Sequence, residues 1–229
     1  MPEAMPAKAV WIVVGDVHEN LSRLPDIPEL PEARGLIVNG DFTNYGGAPK
    51  LAGIFNALVE RCPRVLGHVG NLDRPECQDW LEARGANIHS RAVELAPGVC
   101  AMGLGGSTPT PARTPTEYPE AVYEGWLREL AMQAEGFRHA VLVSHNPPKD
   151  CACDRIASGL HVGSQAVRGF IEAHAPAICI CGHIHEARGE DRIGNTRVIN
   201  PGAFKDGGYV VLSLASDGSL EAELKFAAG

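Results

Sequence analysis

The chain has 229 residues, of which 45% are hydrophobic and 21% charged, as is ordinary for a globular protein that buries a core. No stretch reaches the ~18 uninterrupted apolar residues that a membrane-spanning helix needs, so we expect no membrane partner. The formal net charge of −8 argues against the broad basic surface that nucleic-acid binding requires, so we do not expect a nucleic-acid partner.

The amino-terminal residues and the cysteines predict a cytoplasmic protein. Residues 1–8 lead straight into an apolar run, without the basic region, long apolar segment and cleavage site of a secretion signal. The cysteines number seven, and Cys179 and Cys181 would face the same side of one strand without bridging the core. A reducing compartment fits this pattern.

Short runs rich in Val and Ile predict nine strands. In chain order they cover residues 10–14, 36–38, 65–69, 99–104, 140–143, 177–180, 197–199, 209–214 and 220–226. Strands and helical segments alternate in the first half, which indicates a mainly parallel sheet. The last three strands follow one another through Gly-rich turns, so we expect them to pair antiparallel.

Four segments between these strands have helical spacing. Their apolar positions are Leu51, Ile54, Phe55, Leu58 and Val59; Cys77, Trp80 and Leu81; Val122, Trp126, Leu127 and Leu130; and Val167, Phe170 and Ile171. We find no linker and predict one domain over residues 1–229. The fold class is α/β, with two packed mixed β-sheets flanked by helices.

Polar residues of metal-ligand type follow five of the predicted strands. The segments are Gly15-Asp16-Val17-His18, Asn39-Gly40-Asp41, Gly70-Asn71-Leu72-Asp73, Ser144-His145 and Gly182-His183-Ile184-His185. Loops at the carboxyl ends of strands converge on one crevice, so residues far apart in sequence can meet there. Any one of these residues would be an ordinary turn former, but together they predict a metal site.

These segments resemble the calcineurin-like metallophosphoesterases, whose motifs run Asp-x-His, Gly-Asp, Gly-Asn-His-Asp, His and Gly-His-x-His. The match extends from Gly15 to His185. Further segments are similar to a small bacterial and archaeal branch called Icc-like phosphoesterases: Gly105-Gly106-Ser107, Pro109-Thr110-Pro111, His161-x-Gly163-Ser164 and Asn200-Pro201-Gly202. The resemblance implies a four-layer α-β-β-α sandwich.

The resemblance also implies a ligand set for two divalent ions. Asp16, His18 and His185 would hold one ion, Asn71, His145 and His183 the other, and Asp41 would bridge them. Carboxylate, imidazole and amide ligands suit manganese, our first expectation, as well as iron, zinc or nickel. The implied activity is hydrolysis of a small phosphate ester, favouring diesters, by in-line attack of a metal-bridging hydroxide.

One position departs from the family pattern. Leu72 stands where the family commonly has a His that stabilises the transition state or protonates the leaving oxygen, so we expect better activity on good leaving groups. Asp41 and Asp73 are the candidate catalytic carboxylates. His161 could replace the missing acid or be an ordinary loop residue, and Arg74 could contact the phosphate or be solvated.

Other hypotheses share the same residues. The protein could be a metal-binding scaffold that recruits a protein partner with little catalysis, or a phosphomonoesterase or nuclease with different pocket walls. Cys151 and Cys153 could form a third metal or redox site, although a lone Cys-x-Cys is weak evidence. The loop over residues 107–119 could be a lid over the site or a plain surface loop.

Overall fold

Eleven strands and four α-helices form in residues 9–215 and 217–228, the part of the chain that the computed structural model describes. The strands are β1 (Ala9–Gly15), β2 (Gly35–Asn39), β3 (Val65–His68), β4 (Ala92–Ala96), β5 (Val99–Leu104), β6 (His139–Ser144), β7 (Ile178–Ile180), β8 (Gly189–Ile193), β9 (Thr196–Asn200), β10 (Gly208–Leu214) and β11 (Leu220–Phe226). The helices are α1 (Ala48–Val59), α2 (Glu76–Glu82), α3 (Glu120–Gln133) and α4 (Gln165–His174). Residues 1–8, 216 and 229 of the predicted domain lie outside the described residues.

The strands divide into two mixed sheets. The first has the order β11-β10-β1-β2-β3 and the second the order β4-β5-β6-β7-β9-β8. Strands β1, β2 and β3 are parallel, and β10 runs antiparallel to both β1 and β11. In the second sheet β5, β6, β7 and β9 are parallel, with β4 and β8 antiparallel at the two edges. The predicted pair of mixed sheets is confirmed.

The side chains of β1 show why the sheets stack between helices. Successive residues of a strand point to opposite faces. Ile12 and Val14 pack in the core cluster that contains Leu51 of α1, whereas Trp11 and Val13 pack in the cluster shared with the second sheet. Both faces of β1 are therefore buried, which explains its continuous apolar sequence.

Helices α3 and α4 cover the other face of the second sheet. Leu127 of α3 and Val167 of α4 share a core cluster with Leu142 of β6. Ser164 is the N-cap residue of α4, since its side-chain oxygen accepts a hydrogen bond from the Val167 amide at 3.2 Å, and the helix presents apolar residues at helical spacing. The layer order is thus helices, sheet, sheet, helices, as the fold class predicts.

Two strands were not predicted, and one predicted pairing is wrong. Edge strands β4 and β8 carry charged residues, including three in succession in β8, so they lack the apolar runs used for prediction. Strand β9 pairs with β7 and β8 instead of β10. Between β9 and β10 the chain crosses to the other sheet, and the Phe204 amide donates to the Asp16 carbonyl at 3.2 Å during the crossing.

Candidate metal centre

Seven side chains from five strand ends meet at one edge of the sandwich. Those after the first sheet's strands are Asp16 and His18 (β1), Asp41 (β2) and Asn71 (β3); those after the second sheet's strands are His145 (β6) and His183 and His185 (β7). The strands concerned are parallel within each sheet, so their carboxyl ends lie at the same edge.

Asp16, His18 and His185 form a first group. The Nε2 atom of His185 lies 3.0 Å from Asp16 Oδ1 and 3.2 Å from His18 Nε2. The distance from His18 Nε2 to Asp16 Oδ1 is 3.8 Å. All three atoms lie within 4.8 Å of one another, so one cation placed among them could contact all three.

A second group surrounds His145. Its Nε2 atom lies 3.6 Å from Asp41 Oδ2 and 3.0 Å from Asn71 Oδ1, and Asn71 Oδ1 lies 2.8 Å from His183 Nδ1. Asp41 Oδ2 is also 3.9 Å from His18 Nε2 of the first group. Asp41 therefore lies between the two groups, the position that the family resemblance assigns to a bridging ligand.

Hydrogen bonds from neighbouring groups orient these side chains. The His145 ring places Nδ1 3.0 Å from the Asn39 carbonyl, which leaves Nε2 facing the centre. The His18 ring places Nδ1 2.9 Å from Asn44 Oδ1. The His183 amide donates to Asp16 Oδ2 at 3.0 Å. Such outer contacts fix the ring orientation and the tautomer of metal-binding histidines.

The backbone at the centre is strained. Asp16, His18, Asp41 and His183 have φ angles of 52°, 47°, 49° and 66°, in the left-handed region that non-glycine residues rarely adopt. Strained residues of this kind cluster at functional sites, where surrounding contacts hold them in place. Four of the seven predicted ligands share this property.

Close approach explains the glycines beside the ligands. A Cβ atom at Gly70 would collide with the amide and the carboxylate of Asp41, and one at Gly182 would lie 2.6 Å from Asp16 Oδ2. Even a methyl group at either glycine would therefore displace a neighbouring carboxylate.

The histidines of the centre differ in pKa because their surroundings differ. Burial lowers the pKa of His145, but the charge and hydrogen bond of Asp41, the charge of Asp16 and the hydrogen bond to the Asn39 carbonyl together outweigh it and raise the pKa to about 9. Burial and the charge of His145 lower the pKa of His183 to about 4. The hydrogen bond to Asp16 raises the pKa of His185. Metal ions would displace the protons of His145 and His185, so metal binding here releases protons.

The donor set fits divalent transition-metal ions. It contains two carboxylates, four imidazoles and one amide oxygen, and of these Asp16, Asp41, Asn71 and His145 are buried. The two buried carboxylates, whose ligand atoms lie within 4.8 Å of each other, repel one another, and bound cations would compensate their charge. Oxygen and nitrogen donors without thiolate suit manganese, iron, zinc or nickel.

Comparison with known proteins decides the family. The family profile described as metallophosphoesterase, calcineurin superfamily, matches residues 78–223. An uncharacterized protein of Methanocaldococcus jannaschii, MJ1162, is 36% identical over 195 residues, which cover 82% of this chain and 85% of that protein. The chain belongs to the calcineurin superfamily of metallophosphoesterases. Its predicted family is confirmed, and metal-dependent hydrolysis of phosphoric esters is the activity of that family.

Solved structures show the same fold as this metallophosphoesterase. The crystal structure of TT1561 of Thermus thermophilus has a TM-score of 0.67 and 20% identity, covering 94% of this chain and 98% of that one. A dimetal phosphatase from Danio rerio has a TM-score of 0.60 and 11% identity, covering 96% and 99%. At these identities the likeness concerns the fold alone.

Asp73, a candidate catalytic carboxylate, does not line the cavity, and its catalytic role stays a prediction. It is fully buried and accepts hydrogen bonds from the amides of Phe42, Thr43 and Gly70 and from the Thr43 hydroxyl, at 2.8–3.1 Å. Burial raises the pKa of Asp73 to about 7, and the charge of Asp41 contributes in the same direction. Its contacts join the loop of Asp41 to the loop of Asn71.

His161 and Arg74 lie outside the cavity that adjoins the metal centre. His161 Nδ1 lies 2.5 Å from Asp154 Oδ1, and its side chain is 36% exposed, but only its neighbours Leu160 and Val162 line the cavity. The side chain of Arg74 is exposed and does not line the cavity either. The structure therefore brings neither residue to the metal ligands.

The loop over residues 107–119 lies beside the metal centre. The cavity has a volume of about 630 Å³, and its lining residues include His18, Asp41 and Leu72 together with residues 108–112 and Thr114 of this loop. The Asn71 side-chain amide donates to Thr114 Oγ1 at 3.0 Å. The loop thus lies beside the metal ligands, and its function as a lid stays a prediction.

Cys151 and Cys153 lie outside the cavity beside the metal centre. Both thiols are buried, and they donate to backbone carbonyls, Cys151 to Pro148 at 3.1 Å and Cys153 to Gly189 at 3.6 Å. Neither residue lines the cavity.

Sequence analysis missed the residues that support the ligands. Asn39, Asn44 and Thr114 make contacts with His145, His18 and Asn71 respectively. Asn39 contacts His145 through its backbone carbonyl, which no side-chain pattern reveals, whereas the polar side chain of Asn44, three residues after Asp41, was an available signal. Thr114 lies 43 positions from Asn71, and no spacing rule connects them.

Among the described residues, none of the helices has the length and apolarity that crossing a bilayer requires.

Proposed function

We propose that this metallophosphoesterase is a binuclear phosphodiesterase acting on a small phosphate ester. The observation that supports this most directly is the close placement of seven donor side chains beside one cavity. Ligand atoms of Asp16, His18 and His185 lie within 4.8 Å of one another, as do those of Asp16, Asp41 and His145, and Asn71 Oδ1 contacts His145 and His183. The cavity of about 630 Å³ is within the range of small-molecule sites. Five of the seven donors line it: His18, Asp41, Asn71, His183 and His185.

The proposed ligand division follows the two groups. Asp16, His18 and His185 would hold one ion, Asn71, His145 and His183 the other, and Asp41 would be shared. Two divalent ions bound there supply a water of lowered pKa and positive charge for the phosphate oxygens. We propose manganese as the physiological metal, with iron, zinc and nickel as alternatives, because these donors do not distinguish strongly among such ions.

A diester suits the cavity better than a monoester. Near neutral pH a phosphate monoester carries close to two negative charges, since its second pKa is about 6, whereas a diester carries one. Among the residues that the structure describes, no Arg or Lys lines the cavity. A second negative charge on the substrate would therefore have no cationic side chain to meet it.

The residues beside the centre have separate roles in this proposal. Asp41 is oriented by the Leu72 amide, which donates to its Oδ1 atom at 2.8 Å. The Leu72 side chain lines the cavity but has no proton to give, so leaving groups that depart without protonation are favoured.

We further propose a cytoplasmic location, supported by seven cysteines that are all buried and free within the described part of the chain.

The test is hydrolysis of bis(p-nitrophenyl) phosphate and p-nitrophenyl phosphate, which release the same leaving group. Metal-stripped protein is assayed alone and after addition of manganese, beside Asp41→Ala and the exposed control Asp79→Ala. We expect manganese-dependent turnover with the higher kcat/KM on the diester. We expect Asp41→Ala to abolish turnover and Asp79→Ala to retain it.

Two outcomes would contradict the proposal in different ways. A higher kcat/KM on the monoester would show a phosphomonoesterase at the same centre. No turnover with manganese, iron, zinc or nickel, together with tight metal binding, would favour the scaffold that recruits a protein partner.

A further inference from the structure

The metal ligands line one part of the cavity beside the metal centre, and two loop segments line much of the rest. The segment at residues 108–114 contributes Pro109, Pro111 and Ala112 together with three threonines, Thr108, Thr110 and Thr114. The segment at residues 156–162 contributes apolar side chains only, those of Ile156, Leu160 and Val162. A substrate whose phosphate group lies on the ligands would thus have its remaining atoms beside two uncharged segments in which six of the nine lining residues are apolar.

Two of the five large apolar side chains that are exposed among the described residues line this cavity. They are Tyr45, which is 51% exposed, and Leu160, which is 62% exposed. Apolar side chains that line a cavity beside polar ligands are typical of small-molecule sites. Leu72 adds a further apolar group at the point where the family commonly has a polar imidazole. A ligand that covered these side chains would remove their apolar surface from water.

The charges of the lining residues also favour a substrate with an uncharged group beside its phosphate. Beyond the metal ligands, the lining residues within the described part of the chain include no charged side chain. A nucleotide polyphosphate or an oligonucleotide would bring further phosphates, which cationic side chains normally bind. The site is therefore built for a single phosphate joined to an uncharged group.

We infer that the substrate of this protein is a phosphodiester whose ester arm is an uncharged apolar group, held between residues 108–112 and residues 156–162. This inference rests on the proposed phosphodiesterase function and assigns the substrate class for it. Tyr45 and Leu160 are specificity-determining residues that contact the apolar arm. Leu72 lies between that arm and the metal ligands.

The experiment compares phosphodiesters that share one leaving group. p-Nitrophenyl methyl, butyl, octyl and phenyl phosphates are assayed beside p-nitrophenyl thymidine 5′-phosphate, which has a polar arm. Because all of these esters release p-nitrophenolate, differences in kcat/KM among them measure the effect of the ester arm that stays on the phosphate. We expect kcat/KM to rise from methyl to octyl by up to about fourfold for each methylene that becomes buried. We expect the thymidine ester to be hydrolysed no faster than the methyl ester.

Matched variants test whether the apolar side chains of the cavity cause the dependence of kcat/KM on arm length. Leu160→Ser and Tyr45→Ser remove exposed apolar side chains from the cavity, and Met132→Ser removes one of similar exposure, 64%, from α3. We expect both cavity variants to reduce kcat/KM for the octyl ester by a larger factor than kcat/KM for the methyl ester, because the octyl arm buries more apolar surface. Met132→Ser should leave both unchanged. Binding of octylphosphonate against methylphosphonate, measured by calorimetry on the manganese-loaded protein, should follow the same order.

The outcomes separate this inference from the proposed function. Equal kcat/KM for all arms, or a preference for the thymidine ester, would overturn the apolar substrate class while leaving a phosphodiesterase. A chain-length preference that both cavity variants retain would overturn the assignment of the arm to these two segments. Tighter binding of octylphosphonate without any hydrolysis would support the apolar site and contradict the catalytic proposal.

Discussion

The backbone amide of Leu72 donates a 2.8 Å hydrogen bond to Asp41 Oδ1, so residue 72 orients the central carboxylate without using its side chain. A substitution of the side chain can therefore restore an imidazole while the amide contact is kept. The Leu72 side chain already lines the cavity beside the metal ligands. An imidazole in the same place would lie within the cavity where the ester is bound.

We predict that Leu72→His accelerates hydrolysis of diesters with poor leaving groups. A positioned general acid contributes about 10²–10⁴-fold, and that contribution matters only where the departing oxygen needs a proton. The gain should therefore be small for p-nitrophenyl esters and large for alkyl esters. The measurement is the slope of log kcat/KM against leaving-group pKa. Leu72→Phe is the matched control without a titratable group, and a slope that Leu72→His leaves unchanged would refute the prediction.

We predict that Gly70→Ala impairs metal binding without unfolding the protein. The added methyl group would collide with the amide and carboxylate of Asp41, so the carboxylate must shift from its present position beside His145. Disturbing the groups that orient a ligand typically costs 10–100-fold in metal affinity, and we expect a loss of about that size. The measurement is calorimetric titration of metal-free protein with manganese.

Gly53→Ala is the matched control for this change. Gly53 lies in α1, and a Cβ atom there would meet no atom within 4 Å. The substitution should raise stability by about 0.5–1 kcal/mol, since alanine favours a helix over glycine. Equal manganese affinity in the two variants would contradict the role assigned to Gly70.

We predict that buried His89 makes the metal-free protein less stable in acid. His89 is 6% exposed, its Nδ1 atom accepts a hydrogen bond from the Gly105 amide at 3.0 Å, and burial lowers its pKa to about 4. In the unfolded chain the pKa is about 6.5. Between pH 6.5 and 4 the unfolded chain therefore binds a proton that the folded protein does not. Stability should fall by about 2 kcal/mol from this residue between pH 7 and pH 5.

The measurement is urea unfolding at both pH values in the presence of a chelator. His89→Asn keeps a side-chain acceptor but does not titrate, so its free energy of unfolding should lose about 2 kcal/mol less than that of the wild type over this interval. Other groups titrate in both proteins and cancel in the comparison. Parallel pH dependence of the two proteins would show that His89 is not held neutral.

The sequence predicted the elements whose two faces are both buried. Strand β1 is a continuous apolar run because Ile12 faces the helices and Trp11 faces the second sheet, and such runs are recognisable without a structure. Edge strand β8 has one face in solvent and carries Glu190, Asp191 and Arg192, so it lacks that signal. The division of β9 and β10 between sheets depends on tertiary pairing, which a short connection does not reveal.

The candidate site likewise has some residues that local sequence patterns reveal and others whose positions depend on tertiary contacts. Its predicted ligands follow strand ends, and the sheet topology brings strand ends together, so local patterns were sufficient to propose Asp16, Asp41 and His183 as neighbours. The cavity walls come from loops whose positions depend on contacts made far along the chain. Leu160 and Thr114 have no local pattern that relates them to a metal ligand, which is why the sequence did not identify them.

We predict that Thr114→Val weakens metal binding by turning Asn71. Thr114 Oγ1 accepts from the Asn71 amide nitrogen at 3.0 Å and donates to Glu117 Oε1 at 2.6 Å, which leaves Asn71 Oδ1 facing His145 and His183. Valine keeps the shape but removes the oxygen that selects this amide orientation. We expect about a 10-fold loss of manganese affinity, as for other residues that orient a metal ligand.

Thr110→Val is the control within the same loop. Thr110 Oγ1 also donates to Glu117 Oε1, at 2.6 Å, but it makes no hydrogen bond to Asn71 among the contacts of the described residues. If loosening of the loop were the cause, the two valine variants would lose manganese affinity equally. If the Thr114 oxygen orients Asn71, only Thr114→Val should lose it, because Thr110→Val leaves the amide orientation fixed. Calorimetric titration of both metal-free variants with manganese decides between these causes.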